Sequence, residues 1–503
     1  MLEAALEGLL GILHWKAFLM MMIGIVVSST LVAMPGIGSK TAIAMMLPFA
    51  FVLNQYEAVA LIVSIWAVSN TANSITSILF SVPGGAGSQA TIMDGYPMAQ
   101  NGEAARALGA AFTASAIGGV IGAFVLLLAI PIIRPLVLIF GPPEFFMLVM
   151  LGVAMVGALS GKNIVKGVAA GAIGFAISMI GIQGQTGFPR FTFDQIYLFD
   201  GIGLIPMTIG LFAIPELIFL ASQKSTVSKV PLYNLKEGRA QGVRDCWDNK
   251  WLIVRSSFIG VWVGVIPGLG SAVADWFAYG SALQTCKGAR ETFGKGDVRG
   301  VIAVDAATNA KEGGSLIPTL AFGIPGSSTL ALIFGGLVMV GITPGREILT
   351  TRLDITFSII WLLIIASVLT SVVCLLFTRQ LAMATRVRSS ILVPIILGMA
   401  AVGSFANSNL TEDLVVMAVF GVIGYFMRAS DWPRPPLLLG MVLGPLAENF
   451  LWTSYQIFGF EFLLRPGVIT LGTVMTLIIA YPIYQKKKAE KIQRIIKSNG
   501  KSS

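Results

Sequence analysis

Two short polar stretches lie inside apolar segments and carry most of the side chains able to bind a ligand. The first is Asn70-Thr71-Ala72-Asn73-Ser74. Buried amides and hydroxyls need partners. Inside a membrane segment such a group suits contacts to a carboxylate or a cation, or hydrogen bonds between helices. Its counterpart is Asn309-Ala310-Lys311-Glu312-Gly313-Gly314-Ser315, which brings charges into an apolar neighbourhood. Ionisable residues at membrane depth are functional candidates by default. Lys311 could meet an anionic substrate, and Glu312 or Asp305 a cation or proton. A plain Lys-Glu pair at the membrane edge is the structural alternative. Gly313-Gly314-Ser315 reads as a turn. Asp275 is a further acid that could hold sodium or a proton, or be buried and hydrogen-bonded. Glu216, Asp354 and Glu448 fall near segment ends and read as interfacial.

Positioning such groups takes breaks in the helices, and the chain has them in duplicate. Pro35-Gly36-Ile37-Gly38-Ser39 interrupts one apolar run, and Pro267-Gly268-Leu269-Gly270-Ser271 repeats the pattern. A second break follows in each case, at Pro83-Gly84 and at Pro325-Gly326. Proline removes a backbone donor and ends a helix. In lipid, irregular backbone survives only inside protein or beside a water-filled cavity. Broken helices in corresponding places of two halves are the sequence mark of a transporter built from repeats. On this reading Pro35, Gly36, Gly38, Ser39, Asn70, Asn73, Ser74, Pro83, Gly84, Pro267, Gly268, Gly270, Ser271, Gly313, Gly314, Ser315, Pro325 and Gly326 line a substrate site. Asp275, Asp305, Asn309 and Glu312 couple a cation.

Composition requires a membrane. Of 503 residues 55% are hydrophobic and 12% charged, about half the charged share of a soluble domain, and the mean hydropathy is +0.82. The expected fold is an all-α polytopic membrane protein with about 11 to 13 transmembrane or re-entrant segments in two related halves. Residues 1–17 read as an amphipathic lead-in on the surface, 18–222 as the first repeat and 251–484 as the second. The linker 223–250 and the tail 485–503 hold the basic excess behind the net charge of +9, which places both in the cytoplasm. Arg379, Arg386 and Arg388, then Arg428 and Arg434, mark two more cytoplasmic loops. The stretch 84–106, with Asp94-Gly95-Tyr96-Pro97, is long enough for a functional loop. Small residues spaced as Gly118-x-x-x-Gly122 and Gly167-x-x-x-Gly171 suit close helix packing.

Enzyme signatures are missing: there is no Walker lysine, no HExxH and no Gly-x-Ser-x-Gly. The three cysteines are scattered and the single histidine, His14, precedes the first span. No zinc site or disulfide framework follows from them. The basic tail reads as topology rather than nucleic-acid binding, and no cofactor is expected beyond a coupling Na+ or H+. A channel remains open as an alternative, and a lipid-modifying enzyme less so.

The breaks, together with Asp94-Gly95-Tyr96-Pro97-Met98-Ala99, Arg106-Ala107-Leu108-Gly109, Glu312-Gly313-Gly314-Ser315-Leu316-Ile317-Pro318 and Phe322-Gly323-Ile324-Pro325-Gly326, resemble the large membrane subunit of tripartite tricarboxylate transporters. The resemblance runs from about residue 18 to 480. It implies a secondary transporter of the bacterial inner membrane that imports a di- or tricarboxylate such as citrate by symport. It also implies two partners, a small integral-membrane subunit and a periplasmic substrate-binding protein.

Overall fold

A computed structural model of the protein describes residues 1–32, 39–50, 53–82, 84–159, 164–222, 238–267, 270–384, 389–406, 408–478 and 480. Pro35, Gly36, Gly38, Pro83, Gly268 and the tail 485–503 lie outside them, as does most of the linker.

The chain forms two compact units, and neither is continuous in sequence. The first comprises residues 1–137 and 202–426, the second 138–201 and 427 onward. Each of the two sequence halves thus gives its larger part to the first unit and its smaller part to the second.

The first unit opens with α1 (Leu2–Leu13), α2 (Trp15–Val32), α3 (Ser39–Ala50), α4 (Gln55–Phe80), α5 (Thr91–Gln100) and most of α6 (Ala104–Ile139). The second unit takes up the chain with α7 (Pro142–Leu159), α8 (Ile164–Ser178) and the two-residue strands β1 (Gly181–Ile182) and β2 (Pro189–Arg190). Back in the first unit, α9 (Leu204–Thr208) continues through a π-helical turn into α10 (Ile214–Ser222). There follow α11 (Arg239–Asp248), α12 (Lys250–Val265), α13 (Gly270–Thr285), α14 (Ala289–Thr292), α15 (Val298–Phe322), α16 (Ser328–Met339), α17 (Arg346–Thr350), α18 (Leu353–Ala384), α19 (Ser389–Phe405) and most of α20 (Glu412–Ala429). The second unit ends with α21 (Pro435–Phe458) and α22 (Pro466–Ile478). Five helices among the described residues are long and apolar enough to cross a membrane, and the protein is an all-α, multi-pass membrane protein with one minute hairpin.

Local chemistry sets the helix ends. Asn54 and Glu57 form a reciprocal capping box that starts α4. Asp297 and Ser327 accept N-terminal amides of α15 and α16. Gly323 ends α15 in the left-handed region at φ 68°.

Within the first unit α2 packs most on α4, and α12 on α15. Both pairs run parallel, as Ser28 donating to the Ile65 carbonyl and Gly260 lying on the Ala307 carbonyl show. Between α12 and α13 the chain turns back. Accordingly α13 descends along α15, with Asp275 beside Thr308 and Tyr279 beside Gly300. Thus α12 and α13 form an antiparallel hairpin. The same order of elements recurs in α2, α3 and α4. Because α4 and α15 are themselves antiparallel, α2 and α12 run through the unit in opposite directions.

Three expectations need correction. The lead-in is not merely a surface helix: α1 packs on α18, where Trp361 donates to the Ala5 carbonyl at 3.0 Å and Gly8 abuts the Asp354 carbonyl. The stretch after Gly84 is not a loop but a 3-10 turn, Ala86–Ser88, and α5. Gly313-Gly314-Ser315 makes no turn, since α15 runs unbroken through it. Those glycines lie where backbones of other helices touch α15, so helix contact rather than chain reversal accounts for them.

Candidate functional site

The buried seam between α4 and α15 brings the two polar stretches together. Asn70 Nδ2 donates to Glu312 Oε1 at 2.6 Å, Thr71 Oγ1 to Asn309 Oδ1 at 3.3 Å, and Ser74 Oγ to Asp305 Oδ1. These pairs rise on one helix as they fall on the other, which fixes the antiparallel crossing. Asn309 also donates to Ser115 on α6 at 2.8 Å.

The crossing has an internal symmetry. Asn70 stands thirteen residues before Pro83, and Glu312 thirteen before Pro325. Equivalent positions of the two halves therefore hydrogen-bond each other, as they must beside a two-fold axis. Two further pairs agree. A Cβ on Gly84 would meet Asn73, eleven residues earlier, and a Cβ on Gly326 would meet Ser315, also eleven earlier. Ser28–Ile65 and Gly260–Ala307 occupy matching positions as well. The charges, however, are not duplicated. Ser69 stands where the second half has Lys311, and Ile43 where it has Asp275.

Around the seam each acid is held by donors from several elements. Asp305 Oδ2 accepts from Thr91 at the start of α5 at 3.1 Å. Asp275 on α13 accepts from Thr308 and from the Gln89 amide at 3.2 Å. Lys311 Nζ lies 3.0 Å from Glu312 Oε1 and donates at 3.0 Å to Ser271, at the tip of the hairpin. Ser315 Oγ donates to the Glu312 carbonyl at 3.0 Å. Asp275, Asp305, Lys311 and Glu312 are all buried, so three acids face one base in an apolar interior. Such charges survive only when paired or neutralised.

The remaining candidates are placed as follows. Ser39 begins α3 and Pro267 follows α12. Gly270 begins α13 at φ 74°, with open space where a Cβ would sit. Gly84 lies under Asn73 and Thr76; the Asn73 side-chain oxygen Oδ1 is buried with no hydrogen-bond partner among the described residues. Gly313 and Gly314 press on the backbones of Gly122 and Val261, so their amides lie inside a helix and not at a half-helix end. Pro325 is buried, and the Gly326 amide donates to Thr319 at 3.2 Å.

Sequence reading passed over Thr91, Ser115 and Thr308, whose only signal is a hydroxyl on an apolar helix. It also gave Asp94 no role. Asp94 Oδ1 accepts three backbone amides, from Gly294, Gly296 and Asp297, at 2.8, 3.0 and 2.9 Å. Its Oδ2 accepts the Tyr279 hydroxyl at 2.9 Å. The carboxylate thereby ties α5 to the loop that leads into α15. In that loop, burial alone would push the Asp297 carboxyl up. Hydrogen bonds from Arg299 and Thr292 outweigh it and hold the group below the usual carboxylate range.

In the second unit, Glu448 is not at a segment end. It lies within α21 and accepts both guanidinium nitrogens of Arg190 at 2.9 Å. Asp354, in the first turn of α18, accepts the Tyr56 hydroxyl at 2.7 Å.

Among known proteins, the family model described as the tripartite tricarboxylate transporter TctA family matches residues 18–439. An uncharacterized 52.8 kDa protein in the TAR-I ttuC' 3' region of Agrobacterium vitis is 30% identical over 440 residues, 85% of each chain. An uncharacterized protein in the TAR-II ttuC' 3' region of the same organism is 31% identical over 236 residues, 45% of this chain and 96% of that one. No solved structure matches.

Proposed function

We propose, from the premise that the chain belongs to the tripartite tricarboxylate transporter TctA family, that it is the permease through which a di- or tricarboxylate is imported against its gradient. Membership makes it the large membrane subunit of such a system and implies the small membrane subunit and the periplasmic binding protein as partners. The finer reading is ion-driven symport across a bacterial inner membrane, with the C-terminus in the cytoplasm. Citrate is one substrate of the right class.

One observation carries this reading: the buried polar seam of α4 and α15 is flanked by α2 and by the α12–α13 hairpin, and α2 and α12 run in opposite directions. A site so placed can be reached by local movement of α13 and α5, which meet α15 through side chains. Half-helix N-termini such as Gly270-Ser271 offer amides to a carboxylate. The surplus buried acid, Asp275 and Asp305 beyond the Lys311–Glu312 pair, gives a cation its reason to bind.

The test is uptake of labelled di- and tricarboxylates into proteoliposomes holding the chain, its small subunit and the binding protein. Sodium and proton gradients are imposed separately, with a no-gradient control. Accumulation under one gradient is expected, and Gly268→Val should abolish it while membrane insertion persists. Equilibration without accumulation would make the protein a channel. No flux of any carboxylate would remove the substrate class.

A further inference from the structure

We infer that the buried Lys311–Glu312 pair is the coupling element, split during transport between the two ligands. A substrate carboxylate takes over Lys311, and a monovalent cation takes over Glu312. This deepens the transport reading above and rests on it.

The geometry singles out this pair. Adjacent residues on a helix diverge by about 100° and do not naturally face each other. Lys311 accordingly reaches one way, to Ser271 at the hairpin tip, and Glu312 the other, to Asn70 on α4. The ion pair is drawn across the gap between two faces of α15. It is thus a bridge from the start of α13 to α4 in the other sequence half, not an ordinary packing contact.

Burial then makes the two ligands depend on each other. The side chains are 2% and 6% exposed. Among the described residues Lys311 has Ser271 and Glu312 as hydrogen-bond partners, and Ser271 carries no charge. A carboxylate that captured Lys311 would leave Glu312 buried and uncompensated, and a cation alone on Glu312 would strand Lys311. Removing one partner of a buried pair is strongly unfavourable, whereas exchanging both keeps every charge matched. Carboxylate and cation can therefore bind together or not at all.

The bridge has open space at one end and an unpaired ligand atom at the other. Beside Ser271, Gly270 has nothing within 4 Å of its Cβ position, which is where an anion would approach Lys311. On the α4 side, Asn73 follows Asn70 by three residues, and its side-chain oxygen Oδ1, without a partner among the described residues, is a neutral ligand for a cation leaning on Glu312. Among the described residues Glu312 is the one of the three acids that Lys311 holds, and its second oxygen accepts a single long bond, from Ser315 at 3.3 Å, so its charge is the one that capture of Lys311 releases.

The test compares two variants in lipid nanodiscs. Binding of labelled citrate and succinate is measured with and without sodium, and at two pH values to cover a proton. Linkage between two sites is commonly 5- to 150-fold, and the wild type should show a cation dependence of about that size. Glu312→Gln keeps the shape and the Asn70 contact but sheds the charge. It should bind carboxylate equally well with or without cation, within about twofold, and in proteoliposomes it should equilibrate substrate without accumulating it. Lys311→Met should lose carboxylate binding about a hundredfold even at saturating cation. Monodisperse elution of both variants verifies folding. Persistence of the full cation dependence in Glu312→Gln overturns the inference while leaving the transporter reading intact. A wild type that binds and accumulates no carboxylate overturns the transporter reading itself. Dependence on sodium or on pH identifies the cation.

Discussion

Replacing Asp94 should loosen the loop that feeds α15, and the size of the effect follows from its contacts. In the native protein one carboxylate, 1% exposed, satisfies three amides and the Tyr279 hydroxyl. Asp94→Ala leaves all four donors without an acceptor. A buried donor left unpaired costs about 1–3 kcal/mol. The three amide contacts are only part-buried, so water recovers some of this and about 3–5 kcal/mol is a fair total. Asp94→Asn keeps an oxygen in place but loses the charge. Bonds to charged groups exceed neutral ones by about 1 kcal/mol each, so about 2–3 kcal/mol is lost. Hydrogen exchange of the amides of Gly294, Gly296 and Asp297, followed by mass spectrometry, reads this locally. At about 1.4 kcal/mol per tenfold, exchange should quicken about a hundredfold or more in Asp94→Ala and less in Asp94→Asn. Exchange within threefold of wild type in Asp94→Ala would refute the view that this carboxylate holds the loop.

Two other outcomes follow. Gly313→Val places a branched side chain against the Gly122 backbone; it should abolish monodisperse protein, whereas Gly280→Val, at a position with nothing within 4 Å, should leave elution unchanged. The depressed folded value of Asp297 stabilises the loop fully above its unfolded value of about 3.9, and this margin is lost as pH falls through the lower folded value. Its advantage over Asp297→Asn in the thermal midpoint should therefore be constant from about pH 7 to 5 and shrink below about 4; a pH-independent difference would contradict the assignment.

Hydropathy and proline-glycine breaks were legible because they are local. The ends of α12, α13 and α15 fall near the expected positions, and the two polar stretches were recognisable as counterparts. Other features are tertiary and left no local trace. That Asn70 meets Glu312 depends on the crossing of two helices more than 200 residues apart. Glycine is permissive of both turns and close approach, so Gly313-Gly314 read as a turn when the fold uses it for contact. Asp94 sat in a word recognisable by resemblance, yet the amides it binds are revealed only by the folded loop. The assignment of residues 138–201 and 427 onward to one unit likewise has no signature along the chain.

Gly260 and Gly264 bring α12 onto the carbonyls of Ala307 and Lys311, and Gly118 and Gly122 bring α6 onto those of Ala306 and Ala310. Two helices separated by side chains can creep past each other as rotamers adjust. Helices in main-chain contact have nothing to adjust, and their next fitting position is a full turn away, about 5.4 Å. Helices α6, α12 and α15 therefore behave as one stiff plate carrying Asp305, Lys311 and Glu312 at fixed spacing. Whatever motion exposes these groups must occur along the compliant edge of that plate, where α13, the 3-10 turn and α5 meet it through side chains.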